Sequence, residues 1–148
     1  MYRNGARDYQ KTDVMTSDPK RLVLMCYEGA IDNLKIAKQK IAKKEYEGKS
    51  KAIVKAQDII SELLCSLNFE KGGEIARNLE SLYNYMLRRI IHADVNRDMA
   101  TIDEIVGILD ELRDAWEQAF YKKDKGMKPQ IMKFFEDAAE KPSDSMRV

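Results

Sequence analysis

Two segments decide the fold: Lys55-Ala56-Gln57-Asp58-Ile59-Ile60-Ser61-Glu62-Leu63-Leu64 and Asn78-Leu79-Glu80-Ser81-Leu82-Tyr83-Asn84-Tyr85-Met86-Leu87-Arg88-Arg89, within residues 55 to 91. In the first, Ile53, Ala56, Ile60, Leu63 and Leu67 recur at helical spacing and mark one apolar face that runs out at Asn68. In the second, Ile75, Leu79, Leu82, Met86 and Ile90 do the same, with Ala76, Tyr83, Leu87 and Ile91 in an additional row beside them. Gly72-Gly73 separates the two as a turn signal. Two amphipathic helices joined by a short connection pack antiparallel.

The same period extends outward. Pro19 suits the first turn of a helix because its missing N–H would have no partner there, and Ser17-Asp18 before it offers a cap. Val23, Tyr27, Ala30, Leu34, Ala37 and Ile41 then form a stripe, and Lys35, Lys38, Lys40, Lys43 and Lys44 gather towards its end, where positive charge suits the helix dipole. A break is expected around Glu45 to Gly48. Asn96-Arg97-Asp98 signals another turn and cap, followed by Ile102, Ile105, Leu109, Leu112 and Trp116. The expectation is an all-α, antiparallel up-and-down four-helix bundle over residues 17 to 120. Residues 1 to 16 read as a flexible polar arm, and residues 121 to 148 as a linker and a short fifth helix, in which Pro129 opens a face made of Ile131, Phe134, Phe135 and Ala138.

Composition narrows the function classes. The 148 residues suit one domain, with 34% charged and 44% hydrophobic side chains, 7 Gly and 3 Pro, a balance that favours a helical globular protein. The net charge of +1 lacks the footprint of a nucleic-acid binder. Cys26 and Cys65 lie among apolar neighbours and are expected as buried, reduced thiols. The first residues carry no apolar core of signal-peptide type and no window is long enough to span a bilayer, so a cytoplasmic location without membrane insertion is expected.

Catalytic constellations are absent from the pattern. His92 is the only histidine, so a nucleophile–histidine pair would have to use it. It falls off the apolar stripe and is expected to be exposed. A histidine phosphotransfer bundle using His92 is the sharpest alternative, but Ile90-Ile91-His92-Ala93-Asp94 lacks the lysine and glycine that usually follow a phosphorylated histidine in that class. Glu104, Asp110, Glu111 and Asp114 have no Glu-x-x-His partner and read as a solvated face rather than a di-iron site. No enzyme, metal or cofactor is expected.

Surplus apolar surface remains. A bundle helix buries about three positions in seven. Ile60, Leu63, Leu79, Leu82, Ile105, Leu109 and Trp116 are assigned to the core, whereas Leu24, Ile31, Ile59, Leu64, Tyr83, Leu87, Ile91 and Val106 flank the stripes. Grooves between such rows accept a partner's amphipathic helix.

Together with Tyr27-Glu28-Gly29-Ala30 and Leu112-Arg113-Asp114-Ala115-Trp116, these segments resemble the FliS family of flagellar secretion chaperones over roughly residues 9 to 120. Glu28 stands where that family usually has aspartate, and Asp94 where it usually has asparagine. The resemblance implies that the disordered C-terminal segment of flagellin wraps the bundle and is kept from polymerising before export. It implies Tyr9 as the arm tyrosine linked with docking the loaded chaperone at the membrane export gate. The candidate partner-binding residues are Tyr9, Leu24, Tyr27, Ile31, Leu64, Tyr83, Leu87 and Ile91. A helical adaptor for another cargo is a further alternative.

Overall fold

A computed structural model describes residues 19–122. Four long helices follow one another: α1 (Pro19–Ala42), α2 (Tyr46–Cys65), α3 (Phe69–Asn96) and α4 (Met99–Glu117), which continues into a single π-helical turn, Gln118–Lys122. Each helix packs against the next, and α1 also packs against α4, which closes the ring of a four-helix bundle. The expected arm with Tyr9, the expected Ser17-Asp18 cap and the expected short helix from Pro129 lie outside the described residues.

The stripes read from the sequence form the core. Leu34, Ile53, Ile60, Met86, Ile90, Ile102, Ile105, Leu109 and Leu112 are fully buried. On α1 the buried set is Leu24, Tyr27, Ala30, Ile31, Leu34, Ala37 and Ile41, two adjacent rows rather than one. The reason is topological: α1 has α2 on one flank and α4 on the other and must cover both. Trp116, assigned to the core from the sequence, is half-buried and packs against the edge of the cluster.

The connections show where local chemistry wins. The first break falls earlier than Glu45 to Gly48: α1 ends at Ala42, Lys44 turns the chain at φ 59°, and Tyr46 opens α2. Gly48 is inside α2, where the stem of Lys40 passes 3.1 Å from where a Cβ would stand. The Asn68 side chain accepts from the Lys71 amide and caps α3, and Gly73 kinks that helix at φ 52°, ψ −124°. Arg97 ends α3 in the left-handed region, and the Asp98 side chain accepts from the Thr101 amide to cap α4.

Ion pairs lace the outside. Lys38 meets Asp103 at 2.8 Å, Lys40 meets Glu45 at 2.7 Å, and Arg113 of α4 reaches Glu28 of α1 at 2.7 Å. Lys49 is the exception: its stem is buried, and its ammonium lies 2.7 Å from Asp94 Oδ1, held by charge without hydrogen-bond alignment, while it donates to the Asp94 carbonyl at 3.2 Å.

Candidate functional site: an apolar groove between the first two helices

A depression on the described surface runs between α1 and α2 and holds about 1220 Å³. Leu22, Val23, Met25 and Cys26 line it from α1, and Ile59, Leu63 and Cys65 from α2. Gly29 sets the approach of the two helices, because a Cβ there would come within 3.2 Å of Ile59 Cδ1. Around this apolar floor stand the carboxylates Glu28 and Asp32 on α1, and Asp58 and Glu62 on α2. A long open groove of this composition suits the apolar face of a helix.

Behind the groove, three helices are tied together by a buried polar chain. The Trp116 indole N–H donates to the Tyr27 hydroxyl at 3.0 Å, and that hydroxyl is hydrogen-bonded to Tyr83 across the bundle diagonal. Burial pushes the Tyr27 phenol up to about 12, and burial followed by the proximity of Tyr27 pushes Tyr83 well above its ordinary value, so both stay neutral. Trp116 also stacks on Phe120 at 5.2 Å between centroids, which connects the chain to the π-helical turn.

Burial, reinforced by Glu62, raises the Cys26 thiol above its usual range and keeps it protonated, an unreactive state. Both cysteines are free, but neither is buried as expected: Cys26 is half-buried on the groove, and Cys65 is exposed because it sits at the last turn of α2 where the core has ended. His92 is exposed as expected; its Nδ1 meets the Asn96 side-chain amide at 3.2 Å and its Nε2 lies 3.6 Å from Asp98. No group of three His, Cys, Asp or Glu side chains among the described residues is placed to hold a metal. Among them, too, no helix is long and apolar enough to cross a membrane.

The candidate partner residues from the sequence divide into two groups. Leu24, Tyr27, Ile31 and Tyr83 are buried, at 2%, 0%, 5% and 2% exposure, where the ring of helices needs a second row. Leu64 and Leu87 are half-buried against the core, and Ile91 is 54% exposed, on helices α2 and α3 away from the α1–α2 groove. None of these seven lines that groove. Of its apolar lining, Ile59 stands in a flanking row of the sequence pattern and Val23 and Leu63 in main stripes, while Leu22 and Met25 carry no periodic signal. Gly29, a small residue opposite a large one, is the mark that periodicity alone passes over.

The described residues define an all-α four-helix bundle with an apolar groove between two of its helices. Comparison with known proteins gives it a family. The family described as flagellar protein FliS matches residues 2–123, and the chain belongs to that family. It is 35% identical over 123 residues to the flagellar secretion chaperone FliS of Bacillus subtilis (strain 168), covering 83% of this chain and 91% of that protein. It is 39% identical over 106 residues to the flagellar secretion chaperone FliS of Salmonella typhimurium, covering 71% and 78% respectively. In fold it is similar to a solved bacterial flagellar chaperone at a TM-score of 0.67 and 24% identity, with 82% of this chain and 99% of that one covered.

Proposed function

We propose that this chain is a cytoplasmic export chaperone that binds the disordered C-terminal segment of flagellin on its apolar interhelical grooves, prevents premature polymerisation and delivers the cargo to the flagellar secretion apparatus. The observation that carries this reading is the α1–α2 groove on a chain of the FliS family. Apolar contacts drive the association, reduced by the ordering cost of a segment that is disordered when free. Leu64, Leu87 and Ile91 offer a second apolar strip on the α2 and α3 side, so a wrapping segment has surface on more than one flank. Tyr9 on the arm is the docking residue for the export-gate membrane protein. The protein has no enzymatic activity and needs no nucleotide or metal.

Purification of the tagged full chain from flagellated cells tests this. Recovery of flagellin in stoichiometric amount supports it. Recovery of the chain without flagellin, carrying an acid-labile phosphohistidine at His92, overturns it in favour of phosphoryl transfer.

A further inference from the structure

We propose that residues 129–140 of this chain are themselves an occupant of the α1–α2 groove: the apolar face of Ile131, Phe134, Phe135 and Ala138 docks there as a helix and competes with cargo. This goes beyond the flagellin reading, and only the effect on cargo rests on that reading. The segment is an addition to the bundle, since the family match ends at residue 123.

Reach favours this groove over the other apolar surface. Lys38 pairs with Asp103 and Glu28 with Arg113, so α1 and α4 run antiparallel in a register that brings Lys122 beside Pro19. Pro19, Cys65 and Ser66 form that end of the groove, so the last described residue stands at its mouth. Residues 123–128 extend to about 20 Å, enough to bring Pro129 there. Ile91 and Val95 lie at the opposite end of the bundle, where α3 gives way to α4, about 30 Å of helix away. Length fits as well. The groove is lined on α1 from Pro19 to Asn33, about 20 Å of helix, and residues 129–140 make about 18 Å.

The order of charges agrees with entry from the mouth. Lys122, Lys123, Lys125, Lys128 and Lys133 lead the segment against Asp124, and Glu136, Asp137 and Glu140 follow. Along the groove the lysines pass Glu62 first, and the acids arrive at the far end beside Lys55. Exposed ion pairs contribute little, so the two phenylalanines leaving water supply most of the attraction and the charges set the direction. A tether holds the segment at an effective concentration of about 1 mM, which fills a groove that binds it only weakly. With roughly a tenth of the molecules open, cargo binds about tenfold more weakly than to an empty groove.

Cys26 reports on the groove, since it is half-buried in its lining. The test compares the rate at which iodoacetamide alkylates Cys26, read by mass spectrometry at fixed pH, in the full chain and in the full-chain variant Phe134→Ser, Phe135→Ser. Both substitutions lie outside the described bundle, and a melting curve checks the fold. Alkylation should accelerate roughly tenfold, and a peptide of the flagellin C-terminal segment should bind tighter by the same factor, because both follow the open fraction. An unchanged alkylation rate overturns the docking. Acceleration by Tyr9→Ser, Val14→Ser instead overturns it by assigning the groove to the arm, and protection that grows with protein concentration overturns it by assigning the groove to a second copy. Faster alkylation with weaker peptide binding overturns the competition by making Phe134 and Phe135 part of the cargo contact. If the peptide binds neither protein, the flagellin reading fails while faster alkylation still supports the docking.

Discussion

The Tyr27 hydroxyl is the hinge of the polar chain, since it accepts from Trp116 and is bonded to Tyr83. Tyr27→Phe therefore removes two hydrogen bonds and Tyr83→Phe one; at about 0.5–1.5 kcal/mol per bond, urea denaturation should show a loss of about 1–3 kcal/mol for the first and about half that for the second. The same phenol sets an alkaline limit. An unfolded tyrosine ionises near 10, and burial holds Tyr27 to about 12. Between these values the unfolded chain has released a proton that the folded chain keeps. This contribution is complete below about pH 10 and declines by about 1.4 kcal/mol per pH unit as pH rises through that window. Tyr83 acts in the same direction, and Tyr27→Phe should flatten the decline. His92, exposed and bonded to Asn96, should be replaceable by alanine with cargo binding and motility intact, as a binding titration and a swimming assay would show. At this scale the sequence was least legible. Tyr83 and Leu24 read as second-row positions available to a partner, yet they are buried because hydrophobic period cannot tell a helix with one neighbour from a helix with two.

At the scale of the element, the four helices and their order were legible because the 3.6-residue period is strong and long in each. Boundaries were legible only where side-chain chemistry marks them. Asp98 and Asn68 cap as their residue types suggest, whereas the α1–α2 turn is made by Lys44 at positive φ, with no glycine or proline to announce it. Two glycines should respond oppositely to substitution. Gly73 holds φ 52° and ψ −124°, a conformation closed to side chains, so Gly73→Ala should cost roughly 1–3 kcal/mol. Gly107 lies on the exposed face of α4 with nothing within 4 Å of an added Cβ. Gly107→Ala should stabilise by about 0.5–1 kcal/mol. Paired denaturation curves decide both, and a stabilised Gly73→Ala would remove the kink from the description of α3.

At the scale of the whole molecule, the described bundle is closed inside and unfinished outside: four helices enclose the core, and apolar surface remains in the α1–α2 groove and at Ile91. The groove was legible from the sequence only as surplus, because depth comes from the Gly29–Ile59 approach between helices rather than from either stripe. If cargo wraps from that groove to the α2 and α3 flank, Ile91→Asp should leave the melting temperature unchanged and weaken flagellin binding roughly tenfold, as expected for about 1.5 kcal/mol of lost apolar burial. The most direct test of the central claim is calorimetric titration of the full chain with the flagellin C-terminal segment at several temperatures. The proposed function predicts saturation at one segment per chain with a negative heat-capacity change, the signature of apolar surface leaving water. No heat of binding, or equal binding by a flagellin fragment that lacks this segment, would contradict it.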